Sequence, residues 1–123
     1  MIKGKKCELI ELYYLLGKKW TIELFHYIKD EPISFNELRR LTCDIISPIL
    51  LSRRLKEMIN FKLIKKRNLN KRIVYEITNE GKEMKDIMHN LKRWAVKNDY
   101  ELPSFCKKGK CHCDYVFGRT DEK

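Results

Sequence analysis

The chain has 123 residues and a formal charge of +10 at pH 7, with 27 Lys and Arg residues against 17 Asp and Glu residues. This length suits one domain with its own hydrophobic core, and the positive charge favours a polyanionic partner. The sequence lacks both an apolar run near the roughly 20 residues of a membrane-spanning helix and an N-terminal signal peptide, so we expect a cytoplasmic protein without membrane contact.

Three helices are predicted in the first third of the chain. Residues 7–16 are mostly apolar, which indicates a helix buried between neighbours, in a dimer core. A second helix is predicted from about Trp20 to Lys29. The sequence Ser34-Phe35-Asn36-Glu37 matches a capping box and predicts a short helix that runs to about Leu41.

A fourth helix is predicted to begin at Ser47 and Pro48. Serine is a good N-cap, and proline suits the first helical position because its missing amide is not needed there. Apolar residues recur at core-facing spacing, at Leu51, Leu55, Met58 and Ile59. The residues turned outward are Ile49, Ser52, Arg53 and Lys56.

A short two-stranded hairpin is predicted next. β-Branched and aromatic residues flank Asn68-Leu69-Asn70, and the basic segment from Lys65 to Arg72 forms the tip. Between Arg53 and Arg72, nine cationic side chains accompany a single acid, Glu57. A capped helix followed by a basic hairpin is typical of a winged helix-turn-helix, whose helix and wing meet the phosphates of double-stranded DNA.

A last long helix is predicted from Thr78 to about Asn98. Its apolar stripe requires a partner surface and consists of Met84, Ile87, Met88, Leu91, Trp94 and Ala95. We therefore divide the chain into a DNA-binding and dimerisation domain, residues 1–100, and a Cys-rich basic tail, residues 101–123.

The tail contains a cluster of candidate metal ligands. Three thiols and an imidazole, enough for one Zn²⁺ ion or an iron–sulfur cluster, come from Cys106, Cys111, His112 and Cys113. Neighbouring lysines favour the thiolate form, which serves thiol redox sensing equally well. The third alternative is a tail with incidental thiols.

Separated motifs of the chain match one known family. Their order is Cys7, LLGKKWT (15–21), FNELRR (35–40), ISP (46–48), LSRRL (51–55) and YEIT (75–78). This pattern resembles the HxlR-type winged-helix transcription regulators, relatives of the MarR regulators, over residues 7–97. The resemblance implies a homodimer, joined through its terminal helices, on a pseudopalindromic operator. Because thiol-sensing members of the family use a cysteine near the start of the first helix, it also makes Cys7 a candidate redox site.

The predicted DNA-contacting residues lie on the two helices of the motif and on the wing. They are Ser34, Asn36, Ser47, Ile49, Ser52, Arg53, Arg54, Lys56, Lys66, Arg67, Lys71 and Arg72. The chain departs from the family at Ile49, where members commonly carry a basic residue. Isoleucine can touch a thymine methyl but cannot hydrogen-bond guanine. The wing also lacks the usual proline-containing tip.

Two other classes of function have less support in the sequence. A sequence-independent nucleic-acid or chromatin binder is the alternative, suggested by the high positive charge and by Ile49. An enzyme is not expected, because the sequence shows no nucleophile–base pair, phosphate-binding glycine loop or carboxylate pair.

Overall fold

The computed structural model describes residues 7–101. These residues form α1 (Glu8–Gly17), α2 (Thr21–Tyr27), β1 (Ile33–Ser34), α3 (Phe35–Leu41), α4 (Pro48–Asn60), β2 (Ile64–Leu69), β3 (Arg72–Ile77) and α5 (Asn79–Lys97). The predicted class, mainly helical with a small β wing, is confirmed. In the described part of the chain, no helix is long and apolar enough to cross a membrane.

The sheet has three antiparallel strands in the order β1-β3-β2, whereas only a two-stranded hairpin was predicted. Strand β1 joins it by pairing Ile33 with Tyr75 and Ser34 with Val74. Two residues are too few to show an alternating pattern, so this strand has no signal in the sequence. The pairing attaches the wing to the start of α3.

The turn of the wing lies at Asn70 and Lys71. Both residues have positive φ, 52° and 65°, as the two central residues of a type I′ hairpin turn require. Asn68 and Leu69 belong to β2, so the turn lies one to two residues after the centre of the predicted segment. A two-residue turn keeps the strands in register as far as the Leu69 and Arg72 pair.

The predicted helix starts are confirmed. The Ser34 Oγ accepts a hydrogen bond from the Glu37 amide at 3.2 Å, and the Glu37 carboxylate accepts one from the Ser34 amide at 2.9 Å. At α4, the Ser47 Oγ accepts from the Leu50 amide at 3.2 Å, and proline occupies the first turn. These bonds satisfy amides that have no partner inside the helix.

The start of α5 is held tightly against the core. A Cβ atom at Gly81 would collide with the Leu63 carbonyl oxygen, so only glycine permits this approach. Further along, the Lys85 Nζ donates to the Ile28 carbonyl at 2.6 Å. Beyond this region Met88 still packs partly against the core, whereas Ile87, Leu91 and Trp94 are exposed.

Helix α1 is mostly exposed within one chain. Leu15 is its buried residue, while Leu9, Ile10, Tyr13 and Tyr14 are exposed, the last at 68%. The predicted burial of α1 in a dimer core stays a prediction, and within the single described chain most of this helix is uncovered. The physical reason is that the nearest helix, α2, covers only the end of α1 that contains Leu15.

Several predictions fall outside the described residues. The cluster Cys106, Cys111, His112 and Cys113 belongs to residues 102–123, so the predicted metal or redox role of the tail stays a prediction. The boundary between residues 100 and 101 also stays a prediction, although α5 ends close to it, at Lys97.

Candidate nucleic-acid interface

Helix α4 presents one apolar face to the core and one face to solvent. Leu51, Leu55 and Met58 are fully buried, and Ile59 is partly buried. We define the exposed face of α4 as Ile49, Ser52, Arg53 and Lys56. All four occupy the positions predicted from the helical spacing.

The N-terminus of α4 favours an anion. No acidic residue lies in the first turn, and the Ser47 side chain is exposed. The helix dipole favours negative charge at such a site. Because the Ser47 Oγ accepts from the Leu50 amide, its proton is available to donate to a phosphate oxygen.

The wing adds a second group of exposed cations: Lys65, Lys66, Arg67, Lys71 and Arg72. Part of this charge is offset by Glu76, whose carboxylate lies 2.8 Å from the Arg67 Nε and 3.9 Å from the Lys65 Nζ. One carboxylate offsets only one of these five positive charges. The wing therefore remains strongly positive.

Arg54 does not belong to the exposed surface. It is only 9% exposed, and its Nε donates to the Lys19 carbonyl oxygen at 2.9 Å. Its Nη1 donates to Glu57 at 3.1 Å, and the Lys18 Nζ donates to the same carboxylate at 2.7 Å. We call these four residues the α4 clasp. The prediction that Arg54 contacts DNA does not fit this geometry, because its guanidinium joins α4 to the segment after α1.

Glu57 is the acid of the α4 clasp. Burial alone raises the pKa of its carboxyl, but the hydrogen bonds and positive charges of Lys18 and Arg54 outweigh that effect and lower the pKa overall. The carboxylate therefore stays ionised at neutral pH and holds both cations.

We expect the replacement Arg54→Met to destabilise the fold, because it leaves the Lys19 carbonyl and the Glu57 carboxylate without the guanidinium that they bind. A loss of about 1–3 kcal/mol in the free energy of unfolding is typical for such groups. Arg53→Met, one residue away on the exposed face, should change stability by less than about 0.5 kcal/mol. Urea denaturation of both variants measures the difference, and equal losses would contradict the assignment of Arg54 to the α4 clasp.

Two residues at α3 were also predicted to contact DNA. Ser34 is buried, and its hydroxyl and amide are both engaged with Glu37 in the capping box. Its role is therefore to begin the helix, and the predicted contact with DNA does not fit this burial. Asn36 is exposed in the first turn of α3 and remains a candidate.

The two cysteines of the described region are free and exposed. Cys7 is the N-cap residue of α1 and makes no side-chain capping bond. Cys43 lies in the turn between α3 and α4 with a positive φ of 54°. Within residues 7–101, no group of three or more His, Cys, Asp or Glu side chains is placed to hold a metal ion.

Comparison with known proteins places this architecture in a family. The family model for the HxlR-like helix-turn-helix matches residues 15–102. The chain is 27% identical over 105 residues to the HTH-type transcriptional regulator YodB of Bacillus subtilis, a match that covers 83% of this chain and 87% of that protein. It is 32% identical over 92 residues to an uncharacterized HTH-type transcriptional regulator of Methanocaldococcus jannaschii, covering 72% and 82% of the two proteins.

The solved structures agree with the sequence matches. The reduced form of B. subtilis YodB has a TM-score of 0.64 at 26% identity, covering 74% of this chain and 92% of that chain. The quinone-bound form gives the same TM-score and identity, covering 76% and 99%. The family model covers the wing and the helices from the end of α1 to α5, so the chain belongs to the HxlR-like helix-turn-helix family and is a transcriptional regulator, not an enzyme.

Proposed function

We propose that the protein is a homodimer that binds a pseudopalindromic operator in double-stranded DNA and so regulates transcription. Helix α4 enters the major groove, and the hairpin of β2 and β3 lies against the neighbouring backbone. The observation that carries this proposal is the exposed face of α4, where Arg53 and Lys56 point to solvent while the opposite face is buried. Exposed cations on a capped second helix are the usual means of reading a groove and its phosphates.

Both elements that are proposed to contact DNA, α4 and the wing, contribute positive charge. Arg53 and Lys56 are assigned to base edges or phosphates, and Ser47 and Ser52 to phosphates near the start of α4. On the wing, backbone contacts are assigned to Lys66, Arg67, Lys71 and Arg72. These assignments leave out Arg54, whose charge is used inside the α4 clasp.

A dimer explains the exposed apolar side chains of α1 and α5. Leu91 of α5 and Tyr14 of α1 are each more than 60% exposed, and similar residues lie beside both. Contiguous apolar surface of this kind is typical of an interface. The α4 clasp joins the segment directly after α1 to α4, so two chains paired through α1 would also fix the spacing of their α4 helices. Half-sites about 34 Å apart would match one turn of DNA.

Selection of bound sequences from a random DNA pool tests this function. We expect enrichment of a two-fold-symmetric site, with competition by random DNA weak at physiological salt. No enriched sequence would instead support the sequence-independent binder, for which the apolar Ile49 on the exposed face of α4 is the favouring observation. Metal analysis of the protein before selection tests the predicted site at the C-terminal cysteines.

We further propose that Cys7 makes operator binding responsive to thiol chemistry. Its exposed thiol begins α1, the helix assigned to the dimer, and B. subtilis YodB is known in reduced, diamide-treated and quinone-bound forms. Addition of the thiolate to a quinone ring carbon forms an S–C bond, and the adduct takes up a proton to become a hydroquinone. The modified residue would then alter how α1 packs against its partner.

We expect quinone treatment to change operator affinity by about 5- to 150-fold, the usual range of coupling between two sites. Cys7→Ser should remove this response. Cys43→Ser is the matched control, because Cys43 is also exposed but lies outside α1, and the response should persist. The measurement is operator affinity before and after treatment. A response that survives in Cys7→Ser would assign sensing to another thiol.

A further inference from the structure

Ile49 has an exposure that neither the core nor the proposed dimer explains. At 75%, it is the most exposed of the large hydrophobic side chains in residues 7–101. Most of the other apolar side chains that are more than half exposed lie on α1 or α5, where a second chain would cover them. Ile49 instead lies in the first turn of α4, beside the N-cap Ser47.

The first turn of α4 offers no cation to a base. Ser47, Pro48 and Ile49 precede Ser52 and Arg53, and the structure removes Arg54 from the exposed face. Residues near the start of a recognition helix contact base edges. In the major groove, thymine alone of the four bases presents a methyl group, and an apolar side chain is its natural partner.

We propose that Ile49 determines specificity by packing against the thymine methyl group of one base pair in each half-site. This inference rests on the proposed function, because it needs α4 in the major groove. It identifies the ligand at that position as the C5 methyl group and assigns the hydrogen-bonded or charged contacts to Ser52, Arg53 and Lys56. A basic residue at position 49 would favour guanine instead.

Uracil tests the proposal, since it differs from thymine only by lacking this methyl group. Each symmetric pair of thymines in the selected operator is replaced by uracil in turn, and affinity is measured for the native protein and for Ile49→Ala. Removing one buried methyl group should weaken binding about fourfold, and removing the pair about 15-fold. One pair of positions should show this loss with the native protein, and the loss should disappear in Ile49→Ala.

Lys66→Ala provides the comparison within the same interface. Removal of a phosphate contact on the wing should weaken binding to all DNA about equally, so the sensitivity to uracil should remain. If an operator is found but no thymine pair is sensitive, or if Ile49→Ala keeps the full sensitivity, the inference about Ile49 is overturned while the proposed function stands. If no operator is found, both are overturned.

Discussion

The double variant Arg53→Ala with Lys56→Ala should bind the operator about 30-fold more weakly or worse, at roughly 1 kcal/mol or more for each side chain. Both side chains are exposed, so their truncation should change stability by less than about 0.5 kcal/mol each. Titration of the operator at several salt concentrations measures the effect. The slope of log affinity against log salt should also fall by about one unit for each phosphate that the variant no longer neutralises.

A matched control separates a local interaction from overall charge. Lys29→Ala with Lys97→Ala also removes two exposed cations, one after α2 and one in the last turn of α5. This variant should bind nearly as well as the native protein. Equal weakening of operator binding by both double variants would show that only the net charge of the protein matters. Unchanged binding by Arg53→Ala with Lys56→Ala would show that the exposed face of α4 does not contact the operator.

The replacement Leu91→Glu should convert the protein to a monomer at concentrations where the native chain is a dimer. Leu91 is 61% exposed in the single chain, so the fold should tolerate the change. In a dimer the new carboxylate would be buried without a partner, which is strongly unfavourable. Loss of the second half-site should lower operator affinity by about 10²- to 10⁴-fold.

His89→Glu is the control for this experiment. His89 is exposed on the same helix, two residues before Leu91 and therefore on roughly the opposite side. It also introduces one carboxylate, but it should leave the dimer and the operator affinity intact. Sedimentation and DNA titration of the two variants measure both properties. A dimeric Leu91→Glu protein would exclude this face of α5 from the interface.

Together, these variants separate three roles that one basic sequence segment contains. Arg53 and Lys56 should affect DNA binding without affecting stability, Arg54 should affect stability first, and Ile49 should affect the choice of base. Positions 53 and 54 are adjacent and chemically identical, so only their surroundings differ. The pair is therefore the sharpest comparison that the chain offers between contact with DNA and support of the helix.

Local sequence determined much of this protein. The capping box at Ser34 and the N-cap at Ser47 act within three residues of themselves, and they begin α3 and α4 where predicted. The spacing of Leu51, Leu55 and Met58 likewise fixes which face of α4 is buried, because helical periodicity is a local property. The separated motifs that resemble the family were also sufficient to identify it.

Only the tertiary structure decided the features that depend on distant partners. Arg54 is withdrawn from the surface by a carbonyl 35 residues earlier in the chain, and Ser34 becomes a strand residue by pairing with Val74. Neither partner is visible in a local pattern. The exposure of α1 is also visible only in the tertiary structure. An apolar helix has the same sequence pattern whether it is buried by its own chain or by a second chain. Sequence periodicity thus identifies the surfaces that avoid water, while tertiary contacts determine what covers them.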